Sequence, residues 1–222
     1  VNIRLACCTL ALLATAAALP AAQAKGSVEA GAALAATCAA CHGAAGANSN
    51  NPEWPNLAGQ NASYIARQLH LLHDGKRVGK PGDANAATMS AMALTLTDQN
   101  MEDVAAYFAT LAPAGLEADP AHWQSGQKLY QWGDRARGIP SCSACHGPVG
   151  AGNPTGGYPS LRAQQSGYVV KQLNAYGSDE RYTRNDKGAT NGGELAAIMR
   201  TVAGRLSEDD KRDLAAYIQG MR

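Results

Sequence analysis

Cys38-Ala39-Ala40-Cys41-His42 returns 104 residues later as Cys142-Ser143-Ala144-Cys145-His146, and this doubled stretch decides the fold. Two thiols three residues apart, followed at once by an imidazole, form the attachment signature of c-type haem. The spacing has a chemical reason. Both thiols can add across the two vinyl groups of one porphyrin, and the adjacent His then sits below the iron as an axial ligand. Cys38, Cys41, Cys142 and Cys145 are four of the six cysteines; Cys7 and Cys8 stand near the N-terminus. The chief competitor is zinc held by two Cys-x-x-Cys pairs. Such pairs usually lie about 15–20 residues apart, whereas here one pair falls in each half of the chain. A thioredoxin-type dithiol needs a strand leading into a helix, and no segment alternates like a sustained strand.

Outward from the motif, the same offset carries Pro55 onto Pro159, Leu57 onto Leu161, Gln60 onto Gln164, Tyr64 onto Tyr168, and Gln68-Leu69 onto Gln172-Leu173. Six extra residues in the second copy then raise the offset to 110. Met89 now falls on Met199, Leu96-Thr97 on Leu206-Ser207, and Ala105-Ala106-Tyr107 on Ala215-Ala216-Tyr217. Two long copies mean tandem domains, since a solenoid needs three or more short repeats. The expected layout is a targeting segment over 1–24, an N-terminal domain over 25–112, a linker over 113–120 and a C-terminal domain over 121–222. Pro113 and Pro120 bracket the linker.

Composition points the same way. The 222 residues hold one Phe, aromatics are 5%, and alanine dominates the 45% apolar fraction. At about 25 cal/mol per Å2 an alanine-rich core is under-supplied unless something large and apolar fills it. A haem in each domain supplies that bulk. The net charge of +1 disfavours a nucleic-acid partner, and a mean hydropathy of −0.25 excludes a multi-span membrane protein. Arg4, the uncharged apolar run 5–19 and Ala22-Gln23-Ala24 read as an export signal cut before Lys25. The run is shorter than the roughly 20 residues of a spanning helix and is interrupted by Pro20. Export implies an oxidising compartment, the periplasm.

Each copy reads as helical. Opening helices are expected over about 28–40 and 121–133, and second helices over 63–73 and 167–176. Closing helices start behind Thr97 and Ser207 as N-caps, with acidic residues suited to the positive end of the dipole. Gly-, Asn- and Pro-rich loops fill 43–51 and 147–157. The picture is a small all-α fold wrapped around a large group.

The second axial ligand sets what each iron can do, because a Met opposite His raises the potential and favours electron transfer. Met89, Met92, Met101, Met199 and Met221 are available, and the repeat aligns only Met89 with Met199, each eight residues before the closing N-cap. Met92 is the residual candidate in the first domain. His70, His73 and His122 have no counterpart in the other copy, which argues against a bis-His haem. Pro55 and Pro159 each lie 13 residues after their His. A carbonyl there can accept the His Nδ1–H, and a loop-shaping proline accounts for the spacing equally well.

With these residues assembled, the chain resembles the dihaem cytochromes c4, tandem class I c-type cytochromes of the bacterial periplasm. The resemblance spans 25–222 and rests on both motifs, on Trp54-Pro-Asn-Leu-Ala-Gly-Gln60 and Tyr158-Pro-Ser-Leu-Arg-Ala-Gln164, and on Met89-Ser-Ala-Met92, Ile198-Met-Arg200 and the Ala-Ala-Tyr of the closing helices. It implies His42 and Met89 on one iron, His146 and Met199 on the other, and two domains about a pseudo-twofold axis with haem propionates near the interface. Ala163 departs from the pattern where the first copy has Gly59, which puts the identity of the local backbone in doubt.

The expected function is single-electron shuttling in the periplasm, from a quinol-oxidising complex or dehydrogenase towards a terminal oxidase, in particular a cbb3-type enzyme. Peripheral contact with the membrane is compatible with the sequence. The alternative is a permanently bound electron-accepting subunit of a periplasmic dehydrogenase, such as a flavocytochrome c sulfide dehydrogenase. A dihaem peroxidase is disfavoured, because it needs an open iron and both irons have a Met cap. Residues 25–115 carry 5 basic and 7 acidic side chains against 13 and 11 in 116–222. The more cationic second domain is expected to hold the haem of higher potential.

Overall fold

The computed structural model describes residues 26–222, so the expected targeting segment over 1–24 and its expected cut before Lys25 lie outside the described residues. The first half contains α1 (Val28–His42), α2 (Ala62–His73), α3 (Ala84–Ala93) and α4 (Asp98–Thr110). The second contains α5 (Trp123–Trp132), α6 (Ser143–His146), α7 (Ser166–Gly177), α8 (Glu194–Ala203) and α9 (Glu208–Gly220). Among the described residues the extended segments form only isolated bridges. Residues 112–119 run without a helix from one half to the other.

In each half the opening helix crosses the closing one, α1 on α4 and α5 on α9. The crossing is as close as backbone allows. A Cβ on Gly31 would lie 2.0 Å from the Asp103 carbonyl oxygen, and one on Gly126 would lie 1.9 Å from that of Asp213. These equivalent glycines are 95 residues apart, not 104. The difference is structural: α1 runs straight through the motif to His42, whereas α5 stops at Trp132 and residues 133–141 loop out before α6. Thr97 and Ser207 cap α4 and α9 with full capping boxes, reciprocated by Asn100 and Asp210.

The cores are small. Ala35, Ile65, Ala66, Val104, Ala105 and Phe108 form the first, half of it alanine. Tyr130, Leu214, Ile218 and Met221 anchor the second. Met101 and Met221 are spent here, as buried packing.

Contacts between the halves repeat with roles exchanged. Gln60 clamps the backbone of Ser160, accepting its N–H on Oε1 at 2.8 Å and donating Nε2–H to its carbonyl at 2.9 Å. Gln164 clamps Asn56 in the same way, at 2.7 and 2.9 Å. Arg77 donates to the Tyr168 hydroxyl at 3.0 Å, and its equivalent Arg181 to that of Tyr64 at 3.2 Å. Contacts that map onto themselves when the copies are swapped define a twofold relation. The architecture is therefore two tandem all-α domains about a pseudo-twofold axis. At one edge Lys171 joins Glu53 at 3.1 Å and Asp83 at 2.9 Å.

Ala163 keeps the backbone of Gly59. Its φ is 58° against 70°, both left-handed. The doubt over the local backbone is thereby answered: the turn is retained, and Ala163 holds it with the strain a Cβ brings.

Candidate haem sites

Each motif sits in the last helical turn before a glycine in the left-handed region, Gly43 at φ 81° and Gly147 at φ 80°. A Cβ on Gly43 would meet the Ala47 oxygen at 2.1 Å, so the chain can double back beneath its His only without one. That return brings the proline carbonyls into reach. His42 Nδ1 donates to the Pro55 carbonyl at 2.8 Å, and His146 Nδ1 to that of Pro159 at 3.0 Å. A carbonyl only accepts, so the proton is fixed on Nδ1 and the Nε2 lone pair is left for a metal. Both imidazoles are buried. Desolvation pushes both below the usual histidine value, which keeps them neutral and able to ligate.

Cys38 and Cys142 are half-buried, Cys41 and Cys145 exposed, and none is in a disulfide. Burial raises both leading thiols, Cys142 to about 11. A redox-active dithiol needs the opposite shift. Among the described residues no group of three or more His, Cys, Asp or Glu side chains is placed to hold a bare metal ion. The donors of each half suit a porphyrin iron better than zinc.

Met89 and Met199 are each the sixth residue of a ten-residue helix, α3 and α8, and both are half-buried. Met92, 38% exposed, is matched in α8 by Val202, which has no donor atom. Asp83 caps α3 through the N–H groups of Asn85 and Ala86, and Trp54 Nε1 donates to Asn85 at 3.1 Å. The Met-bearing helix is thereby tied to the loop that also carries Pro55. His70, His73 and His122 lie apart from both motifs and pair with Asp98, Asp74 and Asp213.

Between the two sites lies a cluster that the sequence reading did not single out. Arg181, 2% exposed, donates to Tyr182, Tyr64 and Gln68, and its guanidinium lies over the Tyr176 ring at 4.8 Å. Arg77 donates to Gln68 and Tyr168. Neither arginine forms an ion pair among the described residues. Burial raises the Tyr182 phenol, but Arg181 and Arg77 outweigh it and bring the group down to about 7. Two buried donors of this cluster, Arg181 Nη1 and Gln68 Nε2, have no acceptor among the described residues. A buried guanidinium, a second half-buried one and orphan donors, with no carboxylate beside them among the described residues, call for an anion. Haem carries two carboxylates, so the residues present fit it. The signal for these arginines was in the sequence, since Arg77 and Arg181 share the offset of 104.

A family model described as Cytochrome c matches residues 28–112 and 124–222. The cytochrome c4 of Pseudomonas aeruginosa is 40% identical over 200 residues, covering 90% of this chain and 91% of that protein. The thiosulfate dehydrogenase electron acceptor of Thiomonas intermedia is 34% identical over 189 residues, covering 83% of this chain and 78% of that protein. The crystal structure of reduced recombinant cytochrome c4 from Pseudomonas stutzeri matches with a TM-score of 0.75 at 38% identity, covering 89% of this chain and 100% of that one. Each matched region holds one Cys-x-x-Cys-His, so the chain carries two covalent haems c and transfers electrons. It belongs to the cytochrome c family and, within it, to the two-domain dihaem cytochromes c4.

Proposed function

We propose that this chain is an exported, freely diffusing carrier that takes single electrons from a quinol-oxidising complex or dehydrogenase and delivers them towards a terminal oxidase of the cbb3 type. Each haem, when bound, supplies one reversible electron at its iron. The protein's part is to hold that iron in one coordination state. His42 and His146, oriented by Pro55 and Pro159, would ligate the two irons, with Met89 and Met199 as their second protein ligands. Cys38, Cys41, Cys142 and Cys145 fix each porphyrin by thioether bonds. A rigid, capped site changes little between oxidation states, which suits electron transfer. The observation that carries the reading is the reciprocal interface, which holds two equivalently built sites as one body. The domain limits proposed remain 25–112 and 121–222, with export to the periplasm after removal of 1–24.

The similarity to a thiosulfate dehydrogenase electron acceptor favours one second reading, a subunit held permanently by a periplasmic dehydrogenase. Gel filtration of a native periplasmic extract, followed by haem stain, separates the two. A carrier elutes at the mass of a single processed chain, below the 22.9 kDa of all 222 residues, and its reduced form is oxidised by membranes containing the oxidase. Elution only with a dehydrogenase replaces the first reading by the second. N-terminal sequencing of the same material should begin at Lys25.

A further inference from the structure

The proline carbonyl that receives each imidazole belongs to a peptide group with a second hydrogen bond, and that bond comes from the other domain. The Pro55–Asn56 peptide accepts His42 Nδ1–H on its oxygen at 2.8 Å and donates its N–H to Gln164 Oε1 at 2.7 Å. The Pro159–Ser160 peptide accepts His146 Nδ1–H at 3.0 Å and donates its N–H to Gln60 Oε1 at 2.8 Å. All four interface residues, Asn56, Gln60, Ser160 and Gln164, are buried. Each glutamine is fixed in turn, because its Oε1 also accepts the N–H of the next residue, Asn61 or Gln165, at 2.9 Å.

We propose that Gln164 and Gln60 are positioning residues acting in trans, each tuning the axial imidazole of the opposite domain through one shared peptide group. An amide whose N–H is engaged carries more negative charge on its oxygen, so hydrogen bonds in series strengthen one another, by about 10–30% per bond. A stronger acceptor draws the Nδ1 proton further, and Nε2 becomes the more basic donor. A more basic imidazole favours ferric iron and lowers the potential. Gln164 therefore lowers the potential at His42, and Gln60 at His146. The same contacts that hold the domains together set the electronics of both sites.

The inference rests on His42 and His146 being the axial ligands. That assignment is checked first in the unsubstituted, fully reduced holoprotein, where the imidazole protons of both must show strong ring-current shifts. The test then compares Gln164→Met and Gln60→Met holoproteins, near-isosteric changes that remove both amide contacts. Asn61→Ala serves as control; it removes a different cross-domain bond, to the Tyr158 carbonyl at 2.9 Å, and touches neither peptide. In Gln164→Met, the reduction equilibrium of the His42 haem should rise about threefold, or about 30 mV at 59 mV per tenfold for one electron. The His42 Nδ1–H signal should move with it while that of His146 stays. Gln60→Met should give the mirror result, and Asn61→Ala neither. If one glutamine variant fails to take up haem, the other tests the proposal alone. Shifts confined to the substituted domain, equal at both haems or absent overturn the trans assignment while leaving ligation intact. Unshifted imidazoles in the starting protein overturn both.

Discussion

A thioether that closes an iron can be removed cleanly when its helix is held by other contacts. The Asp83 cap and the Trp54–Asn85 bond hold α3, and Arg200 of α8 pairs with Asp179 at 3.2 Å. Met89→Ala and Met199→Ala should therefore fold, keep both thioether-bound haems and open one iron each. Carbon monoxide added to the ferrous protein should bind half of the haem in either variant and all of it in the double variant. Met92→Ala should bind no more than the unsubstituted protein; if it opens an iron and Met89→Ala does not, the first ligand is misassigned. A second residue-scale outcome concerns Ala163. Gly in its place relieves the left-handed strain but adds freedom to the unfolded chain, for a net gain of about 0.5 kcal/mol in thermal or denaturant unfolding. The mirror change, Gly59→Ala, should destabilise, because its Cβ would lie 2.4 Å from Pro113 Cγ.

The two closing helices carry the same cap built from different chemistry. Ser207 is reciprocated by Asp210, Thr97 by Asn100. Ser207→Ala and Thr97→Ala should each cost about 1 kcal/mol at neutral pH. Their pH dependence should differ. Bonding to Arg137, ahead of its bonds to Ser207, brings the Asp210 carboxyl from 3.8 down to about 2. A carboxyl depressed in the folded state contributes stability above its unfolded value and loses it as pH falls through the folded one. The α9 cap should weaken from about pH 4 towards 2, whereas Asn100 does not titrate and the α4 cap should hold. Urea midpoints of Asp210→Asn and of the unsubstituted protein check this: the gap between them should close as pH falls from about 4 towards 2, and a gap indifferent to pH would contradict it. The closing helices α4 and α9 were the most legible in the sequence, with their start fixed at Thr97 and Ser207. The Met-bearing α3 and α8 were not. Ala84-Asn-Ala-Ala-Thr-Met-Ser-Ala-Met-Ala93 has almost no contrast between faces, and both helices follow Gly-rich loops that read as more loop. The motif was legible because its chemistry is local, five consecutive residues. The roles of Gln60, Gln164, Arg77 and Arg181 were not, because their partners lie about a hundred residues away and only the folded interface brings them together.

At the scale of the molecule the two sites are equivalent in build but differ in surroundings. The interface cations cross over, Arg181 donating to Tyr64 of the first domain and Arg77 to Tyr168 of the second. With the two interface arginines set aside, the domains still differ in charge, 4 basic against 7 acidic residues over 25–115 and 12 against 11 over 116–222. Reduction removes one positive charge from an iron, so a more cationic domain favours it. The haem held by Cys142 and Cys145 should be reduced first in a titration that resolves the two irons by NMR. Because the cause is exposed charge, the separation should shrink as ionic strength rises from about 0.01 to 1 M and the screening length falls from about 30 to 3 Å. A lower potential at His146 would refute the ordering. A separation indifferent to salt would place its cause inside the protein, at the crossed arginines and glutamines, instead of on the surface.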